Sequence, residues 1–230
     1  MKYLIITNRK WYKNLPTILK KHFKSDEFFL IDNKDDFTYE VVRRINPKYV
    51  FIPHWSHIVP ENIFNNFECI IFHMTDLPFG RGGSPLQNLI VNKIYDTKIS
   101  AIKCVSELDA GPIYLKESLQ LYGTAEEIYI RASKVIEEMI IKIIDFQPIP
   151  KEQEGLVTYF KRRKPEEGNI KAVKDIQELY DFIRMLDAED YPRAFLETNN
   201  FRFEFERASL KDECIISDVK ITRKRDKNEK

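Results

Sequence analysis

The sequence predicts an open, doubly wound α/β sheet, mostly parallel, followed by a small C-terminal extension of one helix and a β-hairpin. Three observations point there. Short apolar runs alternate with amphipathic stretches through residues 1–150. The central runs are apolar on both faces, as strands covered by helices on each side must be. Polar clusters fall just past the ends of those runs, where open sheets of this kind bind their ligands.

In order, strands are expected over 3–7, 27–31, 49–52, 69–72, 99–105 and 113–118. Helical patterns over 15–23, 35–45 and 85–94, with a short turn at 60–64, separate the first five. Thr124 and Glu127 have the spacing of a capping box and open a long helix. Its Ile128, Ala132, Val135, Ile136, Met139, Ile140 and Ile143 form one stripe, which reads as core packing. Pro148 and Pro150 end it.

Residues 1–150 are thus expected as one catalytic domain and 151–168 as a linker. The linker's Lys161-Arg162-Arg163-Lys164 run reads as a solvated face. Residues 169–222 form the small α+β unit, with a helix over 175–186 and strands near 194–197, 201–206 and 213–221. Phe201, Phe203 and Phe205 alternate with charged residues, so one face of that hairpin should be buried. Residues 223–230 read as a disordered polar tail.

Hydrophobic residues at 43% support a sizeable core, and Lys+Arg 37 against Asp+Glu 36 leaves a net charge of +1. That balance argues against a nucleic-acid partner, which draws on a basic surplus. The apolar runs are far shorter than the roughly 18 residues of a membrane span. The first one reads as a strand rather than a signal peptide, so a cytoplasmic setting and no membrane partner are expected. Cys69, Cys104 and Cys214 lack any CxxC spacing and read as buried thiols, without a metal site or a disulfide. GxxxxGK[ST] and a usable GxGxxG are missing, which removes support for ATP and dinucleotide chemistry.

Four polar clusters should converge at one sheet edge: Asn8-Arg9-Lys10-Trp11, His54-Trp55-Ser56-His57, His73 with its loop, and Glu107–Asp109. His73 ends an apolar run and is the candidate base, able to take a proton from an amine as it attacks a carbonyl carbon. Asp109 would orient the imidazole, although an aspartate there also suits a turn before Gly111. Gly80, Gly82 and Gly83 would let backbone approach a planar ligand, and their N–H groups could hold an oxyanion. Arg9, Lys10 and Arg81 are candidate diphosphate partners. His54, Trp55 and His57 either stack on a ring or pack structurally. The set points to acyl transfer onto an amine.

His73, Leu77-Pro78, Arg81-Gly82, Pro85, Asp109 and Gly111 together resemble the motif of the N10-formyltetrahydrofolate-dependent formyltransferase family. Trp55-Ser56 before Pro60, the stretch 160–168 and residues 179–186 are similar to further parts of that family. The resemblance implies a Rossmann-like fold and a formylfolate co-substrate lined by Leu77, Pro78, Phe79, Gly80, Gly82 and Gly83. It also implies an amine acceptor held by Asn8, Arg9, Lys10, Trp11, His54, Trp55 and Arg81. One position departs: the family asparagine two residues before the histidine is Ile71 here. Thr75, Asn88, His57 or a loop N–H would have to replace it.

Among acceptors, a nucleotide-linked 4-amino-4,6-dideoxy sugar is expected, because the methionyl-tRNA enzymes carry a larger basic C-terminal barrel. That reading brings homodimers and surface-glycan (lipopolysaccharide) biosynthesis with it. The alternatives are a methionyl-tRNA formyltransferase-like enzyme, or a folate- or nucleotide-binding protein without transfer activity.

Overall fold

A computed structural model describes residues 1–224. They form two compact units. The first comprises Met1–Pro85, Asp96–Leu119 and Tyr129–Phe160; the second comprises Leu86–Tyr95, Gln120–Ile128 and the chain from Lys161 onward.

In the first unit, β1 (Lys2–Ile6), β2 (Glu27–Ile31), β3 (Tyr49–Pro53) and β4 (Cys69–His73) are parallel. A two-residue strand, β5 (Arg81–Gly82), lies outside this sheet. β6 (Asp96–Lys103) reverses direction against β4, and β7 (Ile113–Gln120) closes the edge. The sheet order is β2-β1-β3-β4-β6-β7, the mostly parallel α/β class expected. β1, β3 and β4 place Asn8, His54 and Met74 just beyond their carboxyl ends.

Helices α1 (Leu15–His22), α2 (Tyr39–Ile45) and α3 (Glu61–Phe64) connect these strands. The single helix expected over 35–45 is split. Thr38 is extended and its side chain accepts the Val41 N–H, so it starts α2 afresh after a turn at Lys34–Asp36. One side of the sheet is filled by Leu4, Ile6, Val50, Ile52, Val42 and Ile63, with Ile71 and Trp55 packed against them. Each such side chain contributes about 1.5–3 kcal/mol on burial.

α4 (Pro85–Val91) leads into β6, and α5 (Ala125–Phe146) follows β7. At the start of α5, Glu127 N donates to Thr124 Oγ1 (3.3 Å) and Thr124 N to the Glu127 carboxylate (2.8 Å), which is a capping box. Beyond α5 the chain does not leave the first unit at once. Ile113 and Lys151 exchange backbone hydrogen bonds of 2.7 and 2.9 Å, and β8 (Tyr159–Phe160) pairs in parallel with β5. Residues 151–160, expected as linker, are therefore pinned on both sides.

In the second unit, Asp175 caps α6 (Ile176–Arg184) by accepting the Glu178 N–H. Buried Arg184 donates to Asp181 (2.6 Å) and to the Leu121 and Gly123 carbonyls, so its charge is paired with a carboxylate and two carbonyl dipoles. β9 (Ala194–Glu197), β10 (Phe201–Leu210) and β11 (Ile215–Arg223) form an antiparallel sheet. Phe203 faces Ile221 and Phe205 faces Val219 in register. The phenylalanine face is only half covered: Phe201 and Ile221 remain 44% and 59% exposed. Arg223, expected in the tail, ends β11; residues 225–230 of that tail lie outside the described residues.

Cys69 and Cys104 are buried as expected, but Cys214 is exposed, because it sits in the tight turn joining β10 to β11. Among the described residues no helix is long and apolar enough to cross a membrane.

Candidate active site

His73 is the last residue of β4 and is nearly buried, its ring held from both sides. Nε2 lies 2.9 Å from the Gly80 carbonyl and Nδ1 lies 3.5 Å from Asp109 Oδ2. The same Oδ2 accepts the Gly82 N–H at 2.9 Å. Asp109 has φ +53, a left-handed conformation uncommon outside glycine, and this turns its carboxylate back onto the loop. The structure thus brings His73, Asp109 and the glycine loop together in one place.

Gly82 explains why the loop needs glycine. Its φ is +105, and a Cβ there would stand 2.4 Å from the Phe160 carbonyl oxygen. Behind the loop, Asp76 meets Lys116 at 2.5 Å and Lys98 at 3.0 Å. Burial alone would push the Asp76 carboxyl up, but hydrogen bonds and charge from the two lysines outweigh it and hold the carboxyl below its ordinary range. Lys116 also donates to the Leu77 carbonyl, which belongs to the cis Leu77–Pro78 peptide. Leu77 is fully buried and Phe79 packs edge-on against Phe160.

The loop N–H groups do not stand open as the sequence suggested. Phe79 N bonds the Asp76 carbonyl, Gly80 N the Thr158 hydroxyl, Arg81 N the Thr158 carbonyl, Gly82 N Asp109, and Gly83 N the Phe160 carbonyl. β8 and its neighbour Thr158 cover the Gly80, Arg81 and Gly83 N–H groups by strand-like pairing, and nothing in residues 151–160 announces this in sequence. Of the other candidate donors, the buried Thr75 hydroxyl bonds the Gly80 carbonyl and Asn88 donates to the Lys161 carbonyl within the second unit. His57 is exposed and lies edge-on to Trp55. Ile71 packs into the apolar cluster, on the same strand face as His73.

Arg81, expected to meet a diphosphate, has other partners here. Nη1 reaches Glu107 at 2.9 Å, while Nε and Nη2 reach the Gln153 side chain at 3.2 and 2.9 Å. At the ends of β1 and β3, Trp11, His54 and Tyr129 pack on one another with centroids 4.7 to 5.6 Å apart. Enclosure there, reinforced by the Arg9 charge, pushes His54 down to about 3, so its ring is neutral. Arg9 reaches the Ser56 hydroxyl at 3.3 Å, and Lys10 lies over the Trp11 ring. Asn8 and Lys10 are exposed. Among the described residues the Trp55 indole N–H is buried without a hydrogen-bond partner. Also among them, no three metal-ligating side chains gather.

A histidine at the carboxyl end of a strand, backed by a carboxylate and beside a backbone-rich loop, is an arrangement suited to group transfer. Residues 165–222 match a family described as methionyl-tRNA formyltransferase, C-terminal domain. The solved methionyl-tRNA formyltransferase from Clostridium thermocellum is 51% identical, with a TM-score of 0.95 over 97% of this chain and 100% of that one. The methionyl-tRNA formyltransferase of Thermodesulfovibrio yellowstonii is 28% identical over 66% of this chain and 52% of its own length. This chain spans about half the length of the curated relatives it matches. A sugar N-formyltransferase from Shewanella sp. FDAARGOS_354 shares 19% identity at a TM-score of 0.65, over 86% of this chain and 93% of that one, a likeness of fold alone. The chain belongs to the formyltransferase family.

The expected nucleotide-sugar acceptor does not stand. The near end-to-end match is to a protein described as a methionyl-tRNA enzyme, and the sugar enzymes stand far off in sequence. The expectations of glycan biosynthesis and of no nucleic-acid partner fall with it. Net charge is a poor guide because it sums the whole surface, whereas phosphates respond to local clusters of charge.

Proposed function

We propose that this chain transfers the formyl group of N10-formyltetrahydrofolate to the amine of methionyl-tRNA, in the cytoplasm, with His73 and Asp109 as the reacting pair. The 51% identity that spans the whole Clostridium thermocellum protein carries this reading. Leu77, Pro78 and Phe79, with Gly80, Gly82 and Gly83, line the folate side. The neutral amine attacks the formyl carbon, and the new N–C bond pushes an electron pair onto the formyl oxygen. His73 Nε2 takes the amine proton and Asp109 stabilises the imidazolium. Collapse of the tetrahedral centre breaks the bond to N10, which leaves with its electron pair and a proton as tetrahydrofolate. A carbonyl only accepts, so Nε2 donates to Gly80 here; to serve as base the ring must carry its proton on Nδ1, towards Asp109, and the Gly80 carbonyl must give place to the amine.

The test is direct. Purified protein is incubated with N10-formyltetrahydrofolate and methionyl-tRNA, and formylated from unformylated tRNA is resolved on an acid gel. His73-dependent formylation whose KM rises with salt is the expected result. No formylation from low to physiological salt would overturn the reading. Ile71 favours a second reading, binding without transfer, since an apolar side chain stands where an oxyanion donor belongs. Folate binding with no turnover on methionyl-tRNA or other amines would select it.

A further inference from the structure

We propose that Gln153 is a positioning residue for the reacting pair, fixing the left-handed turn at Asp109 and the loop at Arg81 through one carboxamide. The proposal rests on the reading of His73 and Asp109 as the reacting groups. Gln153 Oε1 accepts from Arg81 Nε (3.2 Å) and Nη2 (2.9 Å), while Nε2 donates to the carbonyls of Asp109 (2.8 Å) and Gly111 (2.9 Å). Both lone pairs and both N–H groups of the amide are thereby used.

These four bonds complete a ring. From Gln153 it passes to Arg81, along the chain to the Gly82 N–H, to the Asp109 carboxylate, and through the Asp109 carbonyl back to Gln153. The ring joins three segments distant in sequence. Its free member is the conformation of Asp109, because a φ of +53 is disfavoured and relaxation would swing the carboxylate off Gly82 and His73. Gln153 holds both carbonyls that flank this turn. Its own backbone is fixed by the Ile113–Lys151 bridge before it and by β8 after it. Glutamate cannot replace it, since a carboxylate would keep the guanidinium but face two carbonyls with no proton to offer.

The test compares Q153M, which removes all four bonds, with Q153E, which keeps those to Arg81. Wild type and H73A run beside them in steady-state formylation of methionyl-tRNA. Both Gln153 variants should lower kcat by roughly 30- to 100-fold, as a misplacement of about 1 Å does, with KM for the folate within threefold. The acid limb of the kcat profile should move as well. A merely structural role would lower Tm and leave kcat and its pH profile intact below the transition. Q153E or Q153M with kcat near wild type, while H73A is inactive, would overturn the proposal. If wild type itself forms no product, the functional reading has failed. The 15N resonances of the His73 ring then decide alone: unchanged resonances in Q153M overturn the positioning role, and a tautomer change supports it.

Discussion

A single carboxylate oxygen, Asp109 Oδ2, is shared between the Gly82 N–H at 2.9 Å and the His73 ring at 3.5 Å. Removal of either side chain therefore disturbs the other. His73→Ala and Asp109→Ala should each lower kcat by ~10²–10⁴-fold, the range for a lost proton-transfer group, with the far-UV spectrum unchanged. Rates near wild type would remove the pair from the mechanism. Ile71 invites the opposite experiment. Its side chain packs into the apolar cluster, so Ile71→Asn should lower unfolding free energy by about 1–3 kcal/mol in urea titrations. A large rise in kcat would show that the site lacks an oxyanion donor.

β5 and β8 are only two residues each, yet their pairing covers the Arg81 and Gly83 N–H groups and brings the Phe160 carbonyl against Gly82. Gly82→Ala must push that backbone away and bear a positive φ. It should cost about 2 kcal/mol or more and lower kcat roughly tenfold, read by thermal melts and steady-state assays together. Full stability in that variant would contradict the close approach. Short apolar runs made the large sheet legible in the sequence: those over β1 to β4 matched their strands within a residue, because β1, β3 and β4 are buried on both faces and the edge strand β2 is half-buried. His73, Asp109 and the loop were legible for a different reason, since those residue types are costly to place together without a use. β8, Thr158 and Gln153 were not legible. A two-residue strand has no period, and a lone glutamine among prolines and charges looks like any solvated linker. The acceptor escaped as well, because composition averages over a surface on which recognition is local.

Across the whole molecule, acid should be more damaging than the near-zero net charge suggests. His54 is enclosed by Trp11 and Tyr129 and held near 3, whereas an unfolded histidine titrates near ~6.5. The unfolded chain therefore binds the extra proton as pH falls below ~6.5, and stability is lost progressively towards pH 3, at up to ~1.4 kcal/mol per pH unit. Urea titrations at pH 7 and 5 should show that loss. His54→Asn, which tolerates the left-handed φ of +54, should flatten it; an equally steep variant would exclude His54 as the cause. The Gly80 carbonyl on His73 Nε2 has a consequence for the folate pool of a cell. Under the proposed mechanism, Nε2 carries its proton against the Gly80 carbonyl between encounters and so cannot take one from water. Formylfolate bound without an acceptor should therefore persist rather than drain away, and loosening the Gly80 N–H by Thr158→Ala should start that leak, visible as acceptor-independent release of formate.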